Sequence, residues 1–200
     1  MTSVITGDII NSRNVNPNLW IPILKSVLNK YGVEPTQWEI YRGDSFQLEV
    51  PPKEALLACL LIKSTIKTTK ELDVRLAIGI GEKSYSSEKV TASNGSAFVN
   101  SGECFEGLKK SILAVKSLNP EFDIRMNLVL DLAQLTINNW TQKSSEVVKI
   151  SIENPKLTQK KLANLVNKTQ STISESLKIA GFEEVMKMEN YYRTQVLELW

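Results

Sequence analysis

The strongest structural signal in this chain lies in residues 157–178, which read LTQKKLANLVNKTQSTISESLK. Apolar side chains recur at helical spacing on both sides of a short polar segment: Leu162, Val166, Ile173 and Leu177. Ala163 is small enough to lie where two helices cross, and Asn167 tolerates the positive φ that a tight turn requires. The segment therefore predicts two short helices that pack against each other across a turn.

The second of these helices indicates a nucleic-acid partner. Thr158 is placed to cap the first helix, and Thr169 or Ser171 to cap the second. The second helix presents short hydrogen-bonding side chains, which suit base edges and phosphates in DNA. The residues predicted to contact DNA are Thr158, Gln159, Thr169, Gln170, Ser171, Thr172, Ser174 and Lys178. The string Thr-Gln-x-x-Leu-Ala followed by Gln-Ser-Thr-Ile-Ser resembles the helix-turn-helix units of bacterial repressors, and this resemblance implies a DNA-binding module.

Lys168 favours a different interpretation of the same segment. It stands where such a turn usually buries an aliphatic residue, so a helical hairpin used only for packing or dimerisation is the alternative. Residues 151–200 contain seven Lys or Arg and six Asp or Glu, so we expect the sequence-independent part of DNA affinity to be modest. A homodimer would strengthen binding, and the apolar interface predicted for it consists of Tyr191, Tyr192, Val196, Leu197 and Trp200.

The composition of the chain limits the chemistry available to it. Of 200 residues, 42% are hydrophobic and 23% are charged, and the net charge of +2 neither requires nor excludes a nucleic-acid partner. The absence of histidine excludes Ser-His-Asp triads and histidine-ligated metals, so any metal is expected to be Mg²⁺ or Mn²⁺ held by carboxylates. No secretory signal and no apolar stretch of about 18 residues is found, so we expect a cytoplasmic protein without a membrane partner.

The N-terminal part of the chain alternates strands and helices. The pattern predicts strands at 3–10, 38–50, 73–81 and 112–118, helices at 16–32, 51–68 and 97–110, and a loop at 84–96. The second of these strand segments is a hairpin with its turn near Gly43 and Asp44. From Arg125 onward only helical periodicity is found. We therefore predict an α+β fold, a ferredoxin-like sandwich with helices on one face followed by an all-helical part. The predicted domains are 1–120, a connector at 121–143, and a DNA-binding domain at 144–200.

Two aspartates of the N-terminal part are candidate metal ligands. Asp8 closes the first strand and Asp44 lies at the hairpin turn, and these two elements are neighbours in a ferredoxin-like sheet. Two carboxylates placed there can share Mg²⁺, which in turn bridges nucleotide phosphates. Arg13 and Arg42 lie beside them in sequence and are candidates for phosphate binding. The alternative is that each aspartate only caps or forms a turn.

Four short motifs carry a wider resemblance. They are Asp8-Ile9-x-x-Ser12, Arg42-Gly43-Asp44-Ser45-Phe46, Arg75-x-x-Ile78-Gly79-x-Gly81 and Gly95-x-x-x-Val99-Asn100. In this order they resemble motifs of class III nucleotidyl cyclases, and the second also resembles the signature hairpin of diguanylate cyclases. This resemblance implies a nucleotide site that includes Ser12, Arg13, Arg42, Gly43, Arg75 and Asn100, with Asp8 and Asp44 as metal ligands. The whole chain resembles the SatD family of small bacterial proteins.

Two departures from the cyclase pattern bear on catalysis. Cys104 stands where the cyclases carry the Arg that stabilises transition-state charge, and Ile40 stands where they read the purine. Loss of one such Arg from phosphoryl transfer can cost about 10³-fold or more in rate. We therefore favour a DNA-binding regulator whose N-terminal domain binds a nucleotide with Mg²⁺, with ligand binding shifting dimer geometry. The alternatives are a divergent cyclase or nucleotidyltransferase, and an inert cyclase-like module for interaction or dimerisation.

Overall fold

Five strands and eight α-helices make up the computed structural model, which describes residues 1–199. The strands are β1 (Thr2–Ile10), β2 (Trp38–Tyr41), β3 (Ser45–Val50), β4 (Asp73–Gly81) and β5 (Leu113–Lys116). The helices of the first part are α1 (Pro17–Leu28), α2 (Ala55–Ile66) and α3 (Ser96–Gly107). They are followed by α4 (Pro120–Ile137), α5 (Gln142–Glu153), α6 (Gln159–Leu165), α7 (Gln170–Ile179) and α8 (Phe182–Leu199). The predicted α+β class is therefore confirmed.

The strands form one mixed sheet in the order β2-β3-β1-β4-β5. β1 lies in the middle and is antiparallel to both β3 and β4, while β5 joins β4 in parallel at the edge. Together with the crossing helices α1 and α2, the first four strands follow the β-α-β-β-α-β order of a ferredoxin-like sheet. The hairpin between β2 and β3 turns through residues 42–44, where the sequence predicted it.

Helices cover both faces of this sheet. Ile5 and Ile9 of β1 pack into the main core with α1 and α2, whereas Val4 packs on the other side with Phe98 of α3. The expectation that all helices lie on one face is therefore wrong for α3. Close approach of α3 depends on Gly79, because a Cβ built there would lie 2.2 Å from the backbone nitrogen of Ser101.

The C-terminal helices continue the core of the sheet. Phe122, Trp140 and Val148 belong to the same buried cluster as the strands. The predicted boundaries at 120 and 143 fall at the beginnings of α4 and α5, but the packed core runs across both. None of the helices in residues 1–199 combines the length and the apolarity that crossing a membrane would require.

Two residues assigned to a dimer interface belong to this core instead. Tyr192 and Val196 are buried, and the Tyr192 hydroxyl donates a hydrogen bond to the carbonyl oxygen of Pro52 at 2.9 Å. The dimer interface predicted around them is therefore wrong at these two positions, because α8 turns that side toward the sheet domain. Tyr191 and Leu197 remain exposed, and Trp200 lies outside the described residues.

Candidate functional site

Five of the predicted site residues meet in one cleft at the end of β1. A cavity of about 610 Å³ is lined by Asp8, Ser12, Arg13, Asp44 and Arg75, together with Ile9, Ile10, Asn11, Asn14, Lys109 and Ile112. The strand register explains the meeting, because Asp8 pairs with Ser45 of β3 on one side and with Arg75 of β4 on the other. The Ile9 amide also donates to the Asp44 carbonyl oxygen at 3.1 Å, which holds the hairpin turn against β1.

Asp8 is held by a basic partner. Its Oδ2 lies 2.5 Å from Nη2 of Arg75, and the Arg75 guanidinium lies 5.2 Å from the centroid of the Phe105 ring. The ring fixes the planar guanidinium by a cation–π contact, and the carboxylate accepts a charge-assisted hydrogen bond. Arg75 therefore lines the cleft already oriented, with part of its hydrogen-bonding capacity directed at Asp8.

Asp44 is held by a hydroxyl. The Ser12 Oγ donates to Asp44 Oδ2 at 2.5 Å, so the segment after β1 and the hairpin turn are joined by side chains as well as by backbone. Sharp backbone turns make this possible, since Asn11 has φ 63° and Arg42 has φ 53°. Asn accepts this conformation more readily than most residues. Ser12 thus positions one of the two proposed metal ligands.

The remaining predicted ligand residues lie elsewhere. Arg42 and Gly43 form the exposed tip of the hairpin and do not line the cavity. Asn100 is only 6% exposed, and its amide donates to the Ile80 carbonyl oxygen at 2.8 Å, toward the opposite end of β4. Because its side chain is used to join α3 to the sheet, Asn100 does not belong to the cleft.

Lys109 is a cleft residue that the sequence did not reveal. It lies just after α3 in an exposed polar segment, and only the packing of α3 across the sheet brings it to the end of β1. With Arg13 and Arg75 it makes three cationic side chains beside two carboxylates. Such a cleft suits an anionic ligand, because its cationic side chains outnumber its carboxylates.

The carboxylates of the cleft determine whether it suits a divalent cation. Within residues 1–199, no group of three or more Asp, Glu, His or Cys side chains is placed to hold a metal. Mg²⁺ does not require such a group, since it is commonly bound by one or two carboxylates, with phosphate oxygens and waters completing the octahedron. Asp8 and Asp44 therefore fit Mg²⁺ that arrives with a phosphate ligand better than they fit a metal bound by protein alone.

Tyr41 and Ile40 show which face of the sheet the cleft uses. Tyr41 pairs with Ser45 and so shares a face with Asp8, while Ile40 pairs with Phe46 and packs against the main core on the other face. Burial raises the pKa of the Tyr41 hydroxyl, while Arg42 lowers it and Asp8 raises it further, so the phenol is neutral at ordinary pH. Ile40 is therefore turned away from any ligand in the cleft.

The predicted helix pair is present as α6 and α7. Thr158 caps α6 by accepting from the Lys161 amide, and Thr169 caps α7 by accepting from the Thr172 amide. Asn167 has φ 54°, the left-handed conformation expected of it from the sequence. The cap of α7 is therefore Thr169 rather than Ser171.

A small core separate from the main one holds this pair. Leu162 and Ala163 of α6 pack on Ile173 of α7, and Val147 of α5 completes the cluster as a third helix. Lys168, the residue that departed from the expected pattern, is half-buried and its Nζ lies 3.1 Å from Oε2 of Glu146. An ion pair to α5 thus takes the place of an aliphatic contact in the turn.

One exposed face of α7 gathers four of the eight predicted DNA contacts. A shallow groove is lined by Gln170, Ser171, Ser174, Glu175 and Lys178. Glu175 was not predicted, and it places an acceptor between the two ends of this face. Thr172 is exposed but its hydroxyl lies 2.9 Å from that of Thr169, and Gln159 lies on α6 beside a different cavity.

The geometry defines a class of protein with a cleft of acidic and basic side chains at one end of an α+β sheet and an exposed polar helix face in its C-terminal part. A model of the SatD family matches residues 3–197, and the chain belongs to that family. No curated protein and no solved structure gives a significant match.

Proposed function

We propose that this protein is a DNA-binding regulator that uses α6 and α7 as a helix-turn-helix unit, with α7 entering the major groove. The observation that carries the proposal is the single face of α7 on which Gln170, Ser171, Ser174 and Lys178 are exposed together. A recognition helix needs such a face, with short donors and acceptors near its N-terminus for base edges. The buried Ala163 and Ile173 support it, because they fix α7 against α6 without using its polar side.

We assign different roles to the residues of this α7 face from the chemistry of their side chains. Gln170 and Ser171 occupy the first turn, where a recognition helix contacts bases, and Gln can bind adenine through two hydrogen bonds. Lys178 lies two turns later and suits a phosphate oxygen. Glu175 repels phosphate but can accept from the amino group of cytosine. Its presence fits modest general affinity, with specificity coming from bases.

The test is a titration of the full chain against duplexes selected from a random pool, followed by anisotropy. Gln170→Ala and Ser171→Ala should each weaken binding to selected duplexes by about 1–3 kcal/mol. Lys178→Ala should weaken binding to all duplexes. It should also reduce the dependence of the binding constant on salt concentration, because the variant displaces fewer counterions from the DNA when it binds. Lys187→Ala serves as the matched control, because Lys187 is exposed on α8 and paired with Glu183 rather than placed on the α7 face. Absence of duplex binding at low salt contradicts the proposal.

The N-terminal cleft is the second part of the proposed function. We infer that it binds a nucleotide through its phosphates together with Mg²⁺ or Mn²⁺, with Asp8 and Asp44 as metal ligands. Support comes from the meeting of these two carboxylates with Arg13, Arg75 and Lys109 in one cavity. Phosphates and a divalent ion would match both sets of charges at once. Ligand binding would then shift the affinity of the α7 face for DNA.

A divergent cyclase or nucleotidyltransferase is the second candidate, and the shared cleft of Asp8 and Asp44 favours it over an inert module. Two further observations favour binding over turnover. Cys104 stands where the cyclases carry an arginine, and its thiol cannot supply positive charge in either protonation state. Ile40 faces the core and cannot read a base in the cleft.

A further inference from the structure

Helix α4 exposes a continuous apolar ridge. Its four members are Ile124 (72% exposed), Leu128 (62%), Leu132 (61%) and Leu135 (72%). Their spacing places them on one side of the helix, along more than three turns. The other sides of α4 are already used, because Met126 and Leu130 are in the core and Gln134 is bonded to β5. The ridge is therefore fixed in place and without a partner in residues 1–199.

A groove runs beside the ridge. Between α4 and α8 lies a cavity of about 230 Å³, lined by Val129, Leu132, Ala133, Thr136, Gly181, Glu184, Val185 and Met188. The ridge and the groove form one surface, and the groove is large enough to receive an aliphatic side chain. An exposed apolar surface of this kind is typical of a protein–protein interface, and a two-fold axis would place the same surface of a second copy against it.

Two charges on the groove side of the ridge show how two copies would be oriented. Arg125 shares a helical row with Val129 and Leu132, on the side of α4 that faces the groove. Glu184 lines the groove near the other end of that row. Neither residue forms an ion pair in the described part of the chain.

The order of residues along the groove follows from the direction of α8. A Cβ at Gly181 would lie 2.8 Å from Thr136, while the Tyr192 ring lies 6.1 Å from that of Phe122, so α8 runs antiparallel to α4. Glu184 thus lies near the C-terminal half of the ridge. Arg125 lies on the other side of the midpoint between Leu128 and Leu132, about 7.5 Å from it along the helix axis, at about 1.5 Å of rise per residue.

We propose that this surface is the interface of a homodimer, in which α4 of one copy packs antiparallel on α4 of the other. A two-fold axis through the midpoint of the ridge brings Arg125 of each copy opposite Glu184 of the other. The arrangement thereby buries both ridges and pairs two charges that have no ion pair within residues 1–199 of their own copy. Tyr191, seven residues after Glu184, lies on the same side of α8 and extends the interface. The proposal does not depend on DNA binding.

The first test measures the mass of the full chain by sedimentation velocity over a range of concentrations. Wild type should be a dimer, and the double variant Leu128→Asp with Leu132→Asp should raise the dimer dissociation constant by about 30-fold or more. Leu19→Asp is the control, because Leu19 is 59% exposed and belongs to α1 rather than to the ridge of α4. Far-UV circular dichroism should be unchanged, since all three side chains are exposed.

The second test uses charge exchange between two variants. Arg125→Glu alone and Glu184→Arg alone should each weaken self-association, because like charges would then face each other twice across the axis. An equal mixture of the two variants should restore dimers, since each hybrid contains two opposite-charge pairs.

Three outcomes overturn the proposal. A wild-type chain that is monomeric at about 100 µM would show that the ridge is not the interface of a stable homodimer. Dimers that persist in the Leu128→Asp, Leu132→Asp variant would place the interface elsewhere. A charge mixture that associates no better than its components would reject the antiparallel arrangement.

Discussion

Lys63 is the most deeply buried charge in the sheet domain. It is 1% exposed on α2, and its Nζ lies 2.7 Å from Oδ1 of Asp73, which also pairs with Lys67. Burial lowers the pKa of Lys63 to about 8, despite the raising effect of Asp73. The folded protein therefore releases this proton at a lower pH than the unfolded chain does, whose lysine pKa is about 10.4.

The sign of the pH effect follows from proton counts. Between pH 8 and about 10, the unfolded chain binds one more proton at Lys63 than the folded protein does, so this residue makes stability rise with pH. Relative to Lys63→Met, the free energy of unfolding of wild type should increase by about 1 kcal/mol from about pH 8 to about pH 9. Urea unfolding of both proteins at the two pH values measures this change in the free energy of unfolding. Lys70→Met, at an exposed lysine, should follow wild type, and an equal response of both variants would contradict the assignment.

Single residues also show what the sequence could and could not reveal. Asn167 was predicted at positive φ because the preference is local to the residue and its turn. Lys109 was missed because nothing in its neighbours distinguishes a cleft residue from an exposed lysine. Asn100 was included by resemblance, but its buried amide bonds β4. The sequence identified cleft residues whose position follows from the strand register, such as Asp8, and missed Lys109, whose position depends on tertiary packing.

The outer edge of β5 is closed by side chains of α4. Asn127 accepts from the Val115 amide and donates to its carbonyl oxygen, at 2.9 and 2.8 Å. Seven residues later, Gln134 accepts from the Leu113 amide at 3.1 Å and donates to its carbonyl oxygen at 3.2 Å. These two amides replace a sixth strand, so the edge has no free backbone groups at Leu113 and Val115 to pair with another chain.

Gln134→Leu should therefore destabilise the fold more than an ordinary substitution within a helix does. The substitution removes the acceptor that now serves the half-buried amide of Ile112 and the buried amide of Leu113, and an unsatisfied buried group costs about 1–3 kcal/mol. Chemical denaturation should show a loss in that range. Gln195→Leu on α8, where the amide bonds Glu198 at the surface, should change stability by about 0.5 kcal/mol or less. Equal effects of the two variants would show that the β5 edge does not depend on Gln134.

The sequence predicted where the strands and helices lie along the chain better than it predicted which side of each one is buried. Strand alternation and helix periodicity placed all five strands and the α6–α7 pair, since these patterns depend on neighbours in sequence. They do not say which element covers a given face. For this reason α3 was placed on the wrong side of the sheet, and Tyr192 was assigned to a dimer although it completes the core. Likewise, the sequence contained no indication that the side-chain amide of Gln134 in α4 binds the backbone of β5.

At the scale of the whole molecule, the cleft and the α7 face are joined by packed elements. Ile112 lines the cleft, and its amide donates to Gln134 of α4 at 2.6 Å. α4 packs on α8, and α8 contacts α7. This continuity offers a physical route by which a ligand in the cleft can bias the position of α7, and coupling between two sites is reciprocal. The proposed effect on DNA affinity thus requires first that the cleft binds a ligand.

Binding of a nucleotide should appear as stabilisation of the folded chain. Mg²⁺ with a nucleoside triphosphate should raise the melting temperature by mass action, with about 2.7 kcal/mol gained at about 100 times the dissociation constant. Asp8→Asn with Asp44→Asn should remove this response, whereas Asp131→Asn, at an exposed carboxylate on α4, should keep it. Without ligand, loss of the Asp8–Arg75 ion pair should offset most of the stability gained by removing repulsion between two carboxylates.

The same incubation separates the three candidate roles of the N-terminal part. A melting shift without pyrophosphate or cyclic product supports binding alone, because the cleft then holds the phosphates without turning them over. Release of pyrophosphate that stops in Asp44→Asn establishes an enzyme and overturns the preference for binding. A wild-type midpoint that no nucleotide moves, with Mg²⁺ or with Mn²⁺, leaves the cleft without a ligand role and the sheet domain as an interaction module.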